Sequence, residues 1–434
     1  MDLGTRKLFN RSFSFVSAFS IVLMALSLVV LLGPIFVKGS GAFLFRGTVE
    51  HREFMLDTFG RGDRAAIEAE AARAEAARRP VYDLLRSFEA RLDTSDADFR
   101  REYRGEFGDL KALVIELFGP APGEPTPVLL RQRYGETRWD RARLKVREIL
   151  TVEEYDYSDE SQMGKKLLAP RVDRFRGTEL EPLFGLFERD AREMMKPRLT
   201  FYWRFLLDES YDSHFFGGIW PELLGTFYLA LGAMVFAIPL GIVTAIYLAE
   251  YAGESHLVSL LRTSISALAG VPSIVFGLFG LAFFINTIKV SQSKSVLAGA
   301  LTLAMLVLPT VIRASEEAIK AVPVTYREAS MSLGARKWRT ILTVILPAAL
   351  PGVLTGIIIS MGRAAGETAP IIFTAAVSVG KPLAVWQTLG QPTPALPWNI
   401  YNLATEHEAV DEIRHVQYGM VLTLVALVLV LNLA

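Results

Sequence analysis

Six long, strongly apolar stretches of this chain carry no charged residue: Ser12 to Val37, Leu223 to Ala249, Thr263 to Ile288, Ser295 to Ile312, Thr340 to Gly362 and Val416 to Ala434. Each approaches or exceeds the roughly 20 residues a helix needs to cross about 30 Å of hydrocarbon. Ser295 to Ile312 is the shortest of them, and its flanking Lys294 and Arg313 can extend to the headgroups. The pattern predicts an all-α polytopic membrane protein with six transmembrane helices. Basic residues precede the first run, as in a signal peptide. Its apolar core is too long, however, and Gly33-Pro34 ends it without a small-x-small site, so it is expected to be a retained anchor.

Between the first and second runs lies a polar block, residues 39–221, long enough to be a complete domain. Its alanine-rich stretch RGDRAAIEAEAARAEAARRP predicts an exposed helix ending near Pro80. TPVLLRQRYG and LKVREILTVEEYDY mix β-branched and polar residues in a manner compatible with strands, so the block is expected to be an α/β insertion. It offers no metal-ligand spacing and no nucleophile–base set. His51 and His214 stand isolated, as surface or satisfied histidines. A structural or docking domain without chemistry is the expectation.

Lysine and arginine set the sides. Arg6, Lys7 and Arg11 precede the first run, and Arg313, Lys320, Arg327, Arg336, Lys337 and Arg339 follow the fourth. The connection between the third and fourth runs has only Lys289 and Lys294. Cytoplasmic lysine and arginine enrichment places the N-terminus and the loop 314–347 inside, and six crossings make both placements agree. The C-terminus is then cytoplasmic and residues 39–221 extracytoplasmic. The expected organisation is 1–38 as N-terminal segment and first helix, 39–221 as external domain, and 222–434 as membrane core.

Composition agrees: 51% of the 434 residues are hydrophobic and 21% charged, with a mean hydropathy of +0.31. Cysteine is absent, which excludes disulfides and thiolate metal sites. No basic stripe with interleaved aromatics suggests nucleic acid, and no GxxxxGK[ST] loop suggests bound nucleotide. No cofactor is expected.

Two segments carry candidate chemistry. In the inner loop, Pro323 can open a helix to Leu333, Gly334 permits a turn, and a second helix is expected over Ala335 to Ile345 before Pro347. This elbow is open to two readings, an interfacial amphipathic loop or a lever moved by a cytoplasmic partner. In the membrane, Arg363 and Glu367 are the sole ionisable residues between Thr340 and Gly380. As a helix those residues would run about 60 Å, twice the hydrocarbon thickness, so a break is expected near Gly366 and Pro370. If the crossing begins near Ala348, Arg363 lies about 23 Å in; if it begins at Thr340, Arg363 lies near the outer headgroups. Four residues apart, Arg363 and Glu367 can pair, either as a structural ion pair or as a fixed charge offered to a passing anion.

The loop resembles the signature loop of ABC importer permeases: Glu-Ala-Ala, three residues, glycine, nine residues, Ile, one residue, Leu-Pro. Here Glu328, Ala329 and Ser330 are followed by Gly334 and then by Val344, Ile345, Leu346 and Pro347. Serine and valine replace two consensus positions at unchanged spacing. The resemblance implies that Glu328, Ala329, Gly334, Leu346 and Pro347 shape the contact with a dimeric ATP-binding subunit. GRAAGETAP (Gly362 to Pro370) and AGVPSIVFGLFG (Ala269 to Gly280) resemble segments of phosphate importer permeases of the A type, a likeness that spans residues 223–434. The large block resembles the extended N-terminal region that some of these permeases carry.

What this implies is a non-enzymatic permease subunit in the cell inner membrane, forming half of a pathway for inorganic phosphate. Its implied partners are a second phosphate permease subunit, the ATPase and an extracytoplasmic phosphate-binding protein. Arg363 and Glu367 would line the pathway. A molybdate or sulfate permease, a homodimeric pore, and a sensor or scaffold subunit stand as alternatives.

Overall fold

A computed structural model describes residues 3–156, 165–253, 255–407 and 410–433. The chain divides into two compact units: Phe43–Trp203, and a second made of Met1–Ala42 with Arg204–Ala434. The first run lies in α1 (Leu3–Phe43).

The Phe43–Trp203 unit opens with β1 (Leu44–Gly47), α2 (Val49–Phe59), α3 (Arg64–Thr94) and α4 (Ala97–Phe118). Then follow α5 (Leu130–Tyr134), α6 (Trp139–Leu150), β2 (Thr151–Asp156), β3 (Lys165–Pro170), α7 (Glu181–Met195) and β4 (Arg198–Phe201). Antiparallel pairing sets Leu44 opposite Phe201, so the chain enters and leaves the unit side by side, as suits a domain inserted into another. The unit is mainly helical rather than α/β: its strands form two separate two-stranded ladders, β1–β4 and β2–β3.

Two expectations fail here for the same reason. Helix α3 does not stop at Pro80 but continues to Thr94. Its buried positions Ile67, Ala74, Val81, Tyr82, Leu85, Phe88 and Leu92 keep helical spacing through the proline. Their burial outweighs the roughly 3 kcal/mol an internal proline costs. Likewise half of TPVLLRQRYG and all of LKVREIL are helical, in α5 and α6, whereas TVEEYD is a strand as expected, β2. Trp139, Ala142, Val146, Ile149 and Leu150 all pack on the core, a 3–4 periodicity that the β-branched content concealed.

The core holds Phe88, Leu110, Leu117, Phe175, Phe187 and Met194, all inaccessible to solvent. Beside it, Arg78 pairs with Glu50 and donates from Nε to the Met194 carbonyl at 2.8 Å. Arg52 reaches Glu70 at 2.9 Å. Removing one partner of such a buried pair leaves a charge without compensation.

In the other unit a short ladder of β5 (Ser210–Tyr211) and β6 (Phe216–Gly217) leads into α8 (Trp220–Ile246), prolonged by a π-turn to Tyr251. Next come α9 (His256–Ala269), α10 (Ser273–Gly280) with a π-turn to Thr287, and α11 (Val296–Ala321). The loop helices are α12 (Val324–Ser332) and α13 (Lys337–Thr340), and a π-turn joins α13 to α14 (Leu346–Gly366). The unit ends with α15 (Ala369–Thr374), α16 (Leu396–Thr405) and α17 (Arg414–Leu433).

Among the described residues, five helical segments are long and apolar enough to cross a membrane: Ser12–Phe43, Trp220–Tyr251, Val296–Lys320, Lys337–Gly366 and Arg414–Leu433. The third expected crossing is a bent pair instead, α9 and α10 meeting at 99°. Gly270 and Pro272 account for the break: Pro272 stands just before α10 with φ −56° and ψ 136°, outside the helical region. Counted as one span, the pair makes six.

Small residues let the helices approach. A methyl group added at Gly232 would meet Ala300, and one at Gly241 would meet Val311, which fixes α8 parallel to α11. Gly352 faces Ala318 and Gly356 faces Ala314, which fixes α14 antiparallel to α11.

His214 is not the isolated histidine the sequence suggested. It is buried, with Nε2 2.9 Å from Glu222, whose carboxylate also accepts from Asn399 Nδ2 at 3.1 Å. The Asp212–His214 turn, at positive φ throughout, swings the ring toward the first turn of α8. His51 is buried as well, edge-on to Phe45 and Tyr202.

Candidate functional site

The membrane charges sit where α14 ends. Gly366 is its last residue, Glu367 is extended at φ −75° and ψ 127°, and α15 restarts at Ala369. The break falls at the glycine, as its freedom allows. Arg363 Nε lies 3.3 Å from Glu367 Oε1, with side chains 41% and 18% exposed.

Helix register places the pair along α11. From Gly356 beside Ala314, seven residues further along antiparallel helices brings Arg363 level with Val307. The same buried cluster holds Val307 and Ala364. Val307 is about 16 Å from the start of α11 at Val296 and about 21 Å from its end at Ala321. The helix is continuous from Lys337, and Arg363 stands level with the middle of α11.

The elbow differs from two equal surface helices. Helix α12 ends at Ser332, Gly334 takes φ +84°, and the expected second helix is the first part of the long crossing helix. Leu346 and Pro347 are thus the first residues of α14, about 24 Å along it from Arg363. Glu328, Ala329 and Gly334 are exposed on the elbow. Leu333 is 90% exposed, and Val324, Tyr326, Met331 and Trp338 also face outward. Such an apolar patch on a polar loop marks a contact surface.

What holds the elbow was missed in the sequence. Arg327 donates to Glu250 from Nε at 2.9 Å and from Nη2 at 2.7 Å, and to the Ile319 and Val322 carbonyls. Lys337 reaches the Glu250 carbonyl. The loop is thereby fastened to the ends of α8 and α11. The available signal was Glu250 itself, the charge that closes the second uncharged run. Ser330, one of the two departures from the signature, bonds Thr340 at 2.9 Å across the turn.

Among the described residues, long apolar helices packed through small residues, with a polar elbow between two of them, make a polytopic helical membrane protein. The chain belongs to the family of binding-protein-dependent transport system inner membrane components, whose family model matches residues 237–434. It is 39% identical over 233 residues to the phosphate transport system permease protein PstA 1 of Mycobacterium tuberculosis (strain CDC 1551 / Oshkosh), covering 54% of this chain and 74% of that protein. It is 35% identical over 227 residues to the probable ABC transporter permease protein YqgI of Bacillus subtilis (strain 168), covering 50% and 76%. The phosphate transport system permease protein PstA of Yersinia pestis is 39% identical over 220 residues, covering 50% and 70%. A solved chain of the inward-facing MetNI methionine ABC transporter aligns with 50% of this chain and 90% of its own length, at 19% identity and a TM-score of 0.37. Overlap at that level defines neither fold nor function.

Proposed function

We propose that this chain is a permease subunit of an ATP-driven phosphate importer and forms half of its translocation pathway. The observation that carries the reading is Arg363 level with the middle of the apolar helix α11 with 41% of its side chain uncovered. An arginine turned to lipid at helix centre costs about 3 kcal/mol or more, so such a group faces a bundle interior or a water-filled path. Its planar fork suits two oxygens of a tetrahedral oxyanion. Glu367 competes for the same guanidinium, so an anion is held weakly enough to leave. The similarity to named phosphate permeases supports phosphate over molybdate or sulfate.

In this reading the exposed elbow, with Glu328, Ala329 and Gly334, seats on a separate dimeric ATP-binding subunit. Closure of that subunit pushes on Leu346 and Pro347 at the base of α14, and the helix carries the displacement to Arg363. An external phosphate-binding protein delivers the anion, and a second permease subunit completes the pore. The N- and C-termini lie in the cytoplasm and the Phe43–Trp203 unit outside it.

The test is labelled phosphate uptake in phosphate-starved cells lacking other high-affinity phosphate importers, with molybdate and sulfate as competitors. Arg363→Ala is expected to lower uptake at least a hundredfold at unchanged membrane level, and Arg363→Lys to restore only part of it. Wild-type uptake by Arg363→Ala removes that residue from the pathway; uptake unaffected by deletion of the gene removes phosphate as the cargo.

A further inference from the structure

Helix α9 has two faces. Leu257, Leu260, Leu261 and Leu268 are exposed on one. Ser255, Ser259, Arg262, Thr263 and Ser266 recur at helical spacing on the other and line an open cavity of about 700 Å³. Lys320, near the end of α11, also lines it. Among the described lining residues, the permanently charged groups, Arg262 and Lys320, are both basic. Arg313 stands at the rim and donates to the Ser266 hydroxyl.

The donors there are incompletely used. Arg262 spends one terminal nitrogen on the Leu248 carbonyl at 2.8 Å and on Glu316 at 2.9 Å. Its Nε is buried without a hydrogen-bond partner. Lys320 meets the same Glu316 oxygen at 2.6 Å, so one carboxylate serves two cations. The Ser255 hydroxyl accepts from the Val258 amide at 3.3 Å, which leaves its own hydrogen to donate.

We propose that this cavity, formed by α9, the end of α8 and Lys320 of α11, is a second anion site, one that takes a phosphate group on Arg262, Lys320 and the Ser255 and Ser259 hydroxyls. It lies at the level of residues 313–320 of α11, well inward of Arg363. Its position rests on the reading of the elbow side as cytoplasmic. Two sources supply the same chemistry there: inorganic phosphate that has passed Arg363, and the headgroup of an anionic phospholipid. The 99° bend turns α9 across α10 with leucines on its outer face, a posture that suits either an exit vestibule or a headgroup clamp.

The experiment uses the purified full chain with the Arg363→Ala substitution, so that the membrane pair contributes nothing. In lipid-free detergent, binding of labelled inorganic phosphate is measured by equilibrium dialysis. In phosphatidylcholine nanodiscs doped with phosphatidylglycerol, retained lipid is counted by native mass spectrometry. Ser259→Glu places a carboxylate in the cavity without touching an ion pair, and Arg262→Gln with Lys320→Gln removes both cations. A loss of at least tenfold in phosphate binding with both variants establishes the site with free phosphate as occupant. A matching loss of retained phosphatidylglycerol establishes it with lipid as occupant. Phosphate and phosphatidylglycerol binding unaffected by Ser259→Glu, whose fold is checked by its thermal transition, overturns the site. Occupancy is measured without transport, so failure of phosphate uptake in cells overturns the phosphate-import reading and leaves this result standing.

Discussion

At the scale of the residue, two neighbours in α2 pull the Phe43–Trp203 unit in opposite directions with pH. Burial, together with Arg138 and Arg52, holds His51 down at about 3. An unfolded chain takes a proton there below the ordinary 6.5, so His51 contributes stability that is complete above pH 6.5 and lost as pH falls toward 3. Burial and the adjacent Glu50 push Glu53 up to about 7. Its stabilising protonated form is favoured below pH 4.5, and that contribution disappears as pH rises through 7. Glu53→Gln is expected to stabilise the unit by roughly 1–2 kcal/mol at pH 8 and hardly at all at pH 4.5, after allowance for partial exposure. The temperature at which a protease begins to cut within residues 43–203 of the full chain measures this. An equal shift at both pH values would deny Glu53 the role.

At the scale of the element, the elbow depends on one backbone angle and one ion pair. Gly334 at φ +84° has open space around its Cα, so a side chain there is opposed by backbone strain alone. A β-branched residue resists that region by one or more kcal/mol. Gly334→Val is therefore expected to redirect α12 and lower phosphate uptake at least tenfold while the protein reaches the membrane in normal amount. Arg327→Ala should do the same by releasing the loop from Glu250. Co-purification of the ATP-binding subunit distinguishes a lost contact from a lost transmission. Retention of the subunit with uptake gone would place the defect between the elbow and Arg363.

At the scale of the whole molecule, the bent α9–α10 pair decides which way everything after it faces. With α8 parallel to α11, the pair counts as one span and the basic loop 313–339 falls on the side of the N-terminus, as the distribution of lysine and arginine requires. The chain has no cysteine of its own, so single cysteines report cleanly. Val128→Cys and Ser293→Cys are expected to react with an impermeant maleimide in intact spheroplasts, and Ser332→Cys only after permeabilisation. Labelling of Ser332→Cys in intact spheroplasts would overturn that sidedness.

The sequence alone determined what depends on composition along a single element. Length without charge set the long apolar helices, and spacing set the elbow, the glycine at its turn and the Arg363–Glu367 pair. Only tertiary structure decided what depends on neighbours remote in the chain. Pro80 stays inside a helix because the residues on either side of it are buried against others. His214 is buried because a turn aims it at Glu222. Arg327 fastens the elbow because Glu250 arrives from a helix 77 residues away. The level of Arg363 belongs to this second kind. Nothing in α14 states what stands beside its charge, and the register against α11, set by Gly352 and Gly356 meeting Ala318 and Ala314, places it level with the middle of that helix.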